Sequence, residues 1–204
     1  MNTEKYSMSF TTGALFHQES VNLAELYLEE GDWNEVRDEV IARNLLQART
    51  INSTKRICRE ICSRLKRLNK EELELLVDGD HQEQAYILWL AVCRRYHFIY
   101  DFSTEVIRER FLTLRYDLGY EDYDVFFNAK MEWHEEMEKI TATTRNKLRQ
   151  VMFKMLRESE LLNSDNSIIP AMLSARLINV ICSHSNRDLH LFPIMETALQ
   201  GCAK

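Results

Sequence analysis

The chain reads as an all-α protein, a compact bundle of about eight to ten helices with room for one short strand pair near the C-terminus. Three observations predict this. The 204 residues include only 5 glycines and 2 prolines, too few to supply many hairpins or long irregular loops. Apolar residues recur at helical rather than alternating spacing along most of the chain. Helix start and stop signals also follow one another at short intervals.

In order, residues 1–11 are polar and read as a frayed end. A helical pattern begins near Thr12 and runs through Leu15, Phe16, Val21, Leu23, Leu26 and Tyr27 to Gly31, where a glycine cap is expected. Asp32, with Glu35 three residues on, opens the next helix, whose stripe is Val36, Val40, Ile41 and Leu45. Ser53 or Thr54 is a fitting N-cap for the helix after it. A short helix Glu71–Val77 ends at Asp78-Gly79, and Asp80 with Glu83 repeats the capping pattern. From Ala85 to Phe102 the chain is apolar on nearly every side, as expected of a helix at the centre of the molecule. Arg94 and Arg95 interrupt it and should reach toward an edge. A helix from Ser103 ends at Gly119, an acidic one runs from Asp122 to Ile140, and a basic one starts near Thr143-Thr144. Pro170 suits the first turn of a further helix, and Asp188–Phe192 has the look of a short strand. The chain divides into helical subdomains 1–78 and 79–204, with one continuous domain as the alternative.

Charge is the least ordinary feature. The chain carries a formal −6, yet Arg49–Lys70 holds eight cations and one acid, Glu60, for a local +7. On a helix, Ile57, Cys58, Ile61, Cys62, Leu65 and Leu68 fall within an arc of roughly 140°. Lys55, Arg56, Arg59, Lys66, Arg67 and Lys70 fill an opposite arc of roughly 120°. A second segment, Arg145–Arg157, has five cations and no acid, and the remainder of the chain carries −18. A solvated face normally mixes signs, because like charges one turn apart repel. The face therefore calls for an anionic partner: a polyanion, an acidic protein, or the chain's own Glu132–Glu138. Phosphate contacts from Lys and Arg would give salt-sensitive, largely sequence-independent affinity. The candidate nucleic-acid contacts are Arg49, Lys55, Arg56, Arg59, Arg64, Lys66 and Arg67, with Arg145, Lys147, Arg149, Lys154 and Arg157 in second rank.

Other chemistry finds little support. There is no phosphate-cradling glycine loop, and Gly31, Gly79 and Gly119 read as helix terminators. His134-Glu135-Glu136-Met137-Glu138 lacks the second histidine of a zinc motif. Cys58 and Cys62 sit one turn apart in the apolar arc, where core packing explains them. Neither cofactor nor metal is expected, and no enzyme. No apolar run approaches the ~18 residues of a membrane span, and the first residues do not read as a secretory signal. Five cysteines, odd in number, point to reduced thiols and a cytoplasmic protein.

Three blocks carry a resemblance: SFTTGALFHQES, NLLQARTINSTKRICREICSRL and TATTRNKLRQVMFKMLRESELL. In order and spacing they are similar to BrxA, a small component of BREX phage-defence systems, over roughly Ser7–Pro193. The resemblance implies a non-enzymatic helical protein encoded beside a methyltransferase and an ATPase, with other BREX proteins as partners. It also implies an architecture like the NusB-type helical RNA-binding fold. Double-stranded DNA, with RNA as the alternative, is the expected ligand, and an adaptor role toward an acidic partner is the rival.

Overall fold

A computed structural model describes residues 5–195. Among the described residues there are helices and two isolated antiparallel bridges, Asp117 with Ser167 and Leu162 with Ile168, but no strand. None of the helices is long and apolar enough to cross a membrane.

The first helices follow their local signals closely. α1 (His17–Glu30) closes on Gly31, whose φ of 76° is the left-handed cap that glycine adopts without strain. α2 (Trp33–Ala42) is capped by Asp32, which accepts from the Asn34 amide at 2.8 Å. α3 (Ile51–Leu65) starts one turn before the expected cap, because the Thr50 hydroxyl takes the Ser53 amide. Asn69 with Glu72 and Asp80 with Glu83 form reciprocal capping boxes on α4 (Lys70–Asp78) and α5 (His81–Arg95).

α5 is the axis of the molecule. Every residue from Ala85 to Cys93 is buried, and α1, α3 and α4 pack on one side while α10 (Ala142–Glu158) packs on another. The long apolar helix expected through Phe102 breaks at Tyr96, which turns to an extended conformation. α6 (His97–Phe102) then leaves in a new direction. It runs through a π-helical segment, Ser103–Ile107, into α7 (Arg108–Leu112). Thr104 there bonds the Tyr100 and Asp101 carbonyls, a side-chain intrusion of the kind that widens a helix.

Phe98 on α6 organises a second cluster. Its ring lies 5.2–6.3 Å from those of Tyr6, Phe10, Tyr123, Phe126 and Phe127. Tyr6 and Phe10 are therefore buried, and the polar N-terminal stretch is a strap laid into the core rather than a frayed end. Residues 1–4 lie outside the described residues. Two aromatic side chains among polar ones are sufficient to anchor a segment, each burying 150–250 Å².

Several boundaries differ from expectation. Helix α1 begins at His17, not Thr12, after Phe16 in a left-handed conformation. Gly119 opens α8 (Tyr120–Met131) instead of ending a helix, since the Asp122 carboxylate takes its amide at 2.8 Å. The acidic stretch does not continue to Ile140. It breaks at Glu132–His134 before the one-turn α9 (Glu135–Glu138), and Tyr6 occupies the gap, stacked on His134 at 3.9 Å. Pro170 starts no helix, because α11 (Ala175–His184) waits for the Ser174 cap. The expected strand Asp188–Phe192 is largely a 3₁₀ turn, Asn186–Leu191. Trp89 Nε1 and Ser103 Oγ both donate to the Leu191 carbonyl, at 3.2 and 2.9 Å, which leaves that group unavailable for a ladder. Cys58, Cys62 and Cys93 are buried free thiols, and Cys202 falls outside the described residues.

Candidate nucleic-acid interface

The amphipathic division of α3 is realised in space. Thr54, Cys58, Ile61, Cys62 and Leu65 are buried against α1, α2 and α5, while Lys55, Arg56, Arg59, Lys66 and Arg67 stand in solvent, with Arg49 in the turn before them. Among the described residues no ion pair engages any of these six cations. Lys70 faces Glu74 at 3.6 Å, an exposed pair of small energetic consequence. From Lys55 to Arg67 the face extends about 18 Å at 1.5 Å per residue, enough to lie along about five phosphates of one strand. Ile51, exposed and one turn before Lys55, adds an apolar side chain to the start of this face.

Arg64 does not share it. Its side chain is 3% exposed, and its guanidinium donates to Glu60 Oε1 at 2.9 Å and the Ala14 carbonyl at 2.6 Å while resting on the Phe16 ring. Its angle on the helical projection, about 20° outside the apolar arc, was the available signal. Glu60, the segment's one acid, is thereby used inward. It also accepts from the Tyr96 hydroxyl. Burial and Glu60 push the Tyr96 phenol up from 10.0 to about 12. A raised phenol contributes stability that is complete below the ordinary tyrosine value and is lost as pH rises through about 12. A Tyr96→Phe variant should accordingly lose less of its Tm between pH 10 and 12 than the parent does, measured by circular dichroism. Equal losses would mean that other groups govern alkaline unfolding.

The second basic segment behaves differently. Arg145 and Arg149 both reach the Asp124 carboxylate on α8, and their guanidinium groups lie 4.4 Å from the Phe127 ring centroid and 4.7 Å from that of Tyr120. Arg157 donates to Asn166 Oδ1, and Lys154 faces Glu158 at 3.5 Å. Lys147 alone of the five is exposed without such a partner among the described residues. Cations spread over half a helix must partly face its neighbour, so this segment mainly clasps α10 to α8.

The acidic stretch does not neutralise α3. Among the described residues no ion pair joins Glu132–Glu138 to the 49–70 cations. Glu136 takes the Tyr6 amide at 2.7 Å and His134 at 3.2 Å. Despite its desolvation, these contacts and its own amide hold its carboxyl below the usual range. No group of three His, Cys, Asp or Glu among the described residues is placed to hold a metal ion. The Cys58 and Cys62 sulfurs touch at 3.9 Å, and the neighbouring thiol and burial push Cys62 well up.

Fold and surface together define an all-helical protein with a cationic face on α3. The chain belongs to the BrxA family, whose model matches residues 4–185. It is 26% identical over 147 residues to the BREX protein BrxA of Escherichia coli O9:H4 (strain HS), covering 72% of this chain and 69% of that one. Against the BREX protein BrxA of Bacillus cereus (strain H3081.97) it is 26% identical over 125 residues, 61% of this chain and 62% of the relative. A crystal structure of a Magnetospirillum magneticum protein shares the fold, with a TM-score of 0.77 at 19% identity over 93% of this chain and 98% of that one.

Proposed function

We propose that this chain is a non-enzymatic, cytoplasmic, nucleic-acid-binding component of a BREX antiphage defence system, with double-stranded DNA as its ligand and other BREX proteins as its partners. One observation carries the ligand: six cations stand unpaired on and beside one helix in a chain that is otherwise net acidic. Four of the candidate arginines, Arg64, Arg145, Arg149 and Arg157, find partners within the fold instead. The names of the relatives support the defence system, and the NusB-type architecture that the family resemblance implies makes RNA the alternative ligand. Docking is electrostatic, through phosphates, so affinity falls steeply with salt.

Duplex DNA and RNA of equal length, titrated by mobility shift across a salt series, test this. Arg56→Glu with Arg59→Glu should weaken binding at least tenfold and lower the slope of log K against log salt by about 1.8, two contacts at about 0.9 each. Helicity should be unchanged, because both side chains are solvent-exposed. Duplex binding at parental affinity by this variant would remove α3 as the interface. Failure of the parent to shift either probe, combined with variant-sensitive co-purification with the other BREX proteins, would make the face an adaptor for an acidic protein instead.

A further inference from the structure

At the C-terminal end of α3 the cationic surface turns a corner that sequence spacing could not reveal. The break at Tyr96 brings the end of α5 beside the end of α3, and the N-terminal strap crosses both. The result is a recess of about 90 Å³ lined by Lys5, Ser7, Arg67, Arg94, Arg95 and His97. These residues come from three separate stretches of the chain, and the lining contains no carboxylate.

Three of its four cations stand outside any ion pair among the described residues, although Lys5 also borders Glu135, Glu136 and Glu138 on its other side. Among the described residues, Lys5, Arg67 and Arg95 are in no ion pair; Arg95 rests on the Tyr96 ring, 5.0 Å from its centroid. Arg94 differs. It donates to Glu72 at 2.7 Å, to Asp188 at 2.9 Å and to the Arg67 carbonyl at 3.1 Å. Glu72 and Asp188 are thus consumed by one guanidinium that is itself held rigid, and the last of these bonds ties the Arg67 backbone to the wall. The volume is about three times the share of one water molecule in the liquid. That accommodates a phosphate group.

We propose that this recess seats a single phosphate group, the one at which a nucleic-acid backbone leaves the α3 face. The proposal rests on the nucleic-acid reading above and extends it to Lys5 and Arg95. Lys5, Arg95 and Arg67 contribute charge, the Ser7 hydroxyl contributes a directional polar group, and Arg94 sets the shape. Three cations converging on one volume favour a compact dianionic or monoanionic tetrahedral group over a dispersed carboxylate surface.

Two probes test it: a fluorescein-labelled duplex followed by anisotropy across salt, and inorganic phosphate followed by NMR at the His97 ring and the Ser7 amide. In the Lys5→Gln/Arg95→Gln variant, duplex affinity should fall about tenfold, and the log K against log salt slope by about 0.9 for one lost phosphate contact. Inorganic phosphate should shift the two signals saturably in the parent and not in the variant. Arg115→Gln, an exposed cation outside both basic segments, is the control and should change neither reading. If the variant keeps parental affinity and slope while the Arg56→Glu/Arg59→Glu chain loses binding, the recess is not a seat and the nucleic-acid reading survives. If the parent binds no duplex but phosphate still saturates, the reading fails and the recess takes free phosphate. Absence of any saturable phosphate shift in the parent overturns the proposal whatever the duplex does.

Discussion

An Arg94→Met variant should be about 3–5 kcal/mol less stable than the parent in urea denaturation. Arg94 is 10% exposed and stands between Glu72, fully buried, and Asp188, nearly so. Burial alone works against a charged guanidinium, but the two carboxylates hold it charged. Methionine keeps much of the volume and removes the charge, leaving two buried carboxylates facing each other with no cation. The loss therefore measures orphaned anions rather than a cavity. Adding Glu72→Gln to the variant should recover part of it by removing one of the two. At 204 residues the expected fall in Tm is roughly 10 °C or more. Parental stability in Arg94→Met would mean that the triad contributes nothing net, as some buried ion pairs do.

Phe98→Ala should cost a similar amount, about 3–5 kcal/mol, but by another route. The ring is fully buried and joins the N-terminal strap to α8, with five aromatic neighbours. Truncation opens a void among side chains too large to close over it. Its signature should be local. Hydrogen exchange ought to quicken at the Tyr6–Phe10 amides and in α8, while α3 stays protected. Uniform acceleration across the chain would show instead that the strap is not separately anchored through this ring.

The legible part of the molecule was the part written in short range. Helix type, the Asp32 and Asp80 caps, the Gly31 stop and the buried run Ala85–Cys93 all depend on residues within about one turn of each other. So does the two-faced character of α3, which periodicity resolves without any neighbour. The missing parts depended on remote partners. Tyr96 breaks the central helix although the apolar pattern resumes beyond it at Phe98 and Ile99, and its hydroxyl lands on Glu60, 36 residues away. Arg145 and Arg149 look as free in sequence as Lys55 and Arg59, and only the approach of α8 with Asp124 separates them. Gly119 is a terminator or an initiator depending on which side has the carboxylate that reaches it, and Asp122 decides. The 90 Å³ recess is the extreme case, since no two of its stretches are marked in sequence as belonging together.

The inward turning of Glu60 has a consequence for how the molecule arrives at a ligand. Seven net positive charges lie in one segment and thirteen net negative charges on the rest of the chain, so the protein is an electric lever as well as a surface. Near a polyanion its acidic sides are pushed away and α3 is pulled forward, and the torque acts within about a Debye length, ~8 Å at physiological salt. Collisions are thereby sorted by orientation before any side chain touches a phosphate. An added carboxylate on α3 would shorten that lever even at a position where it contacts nothing.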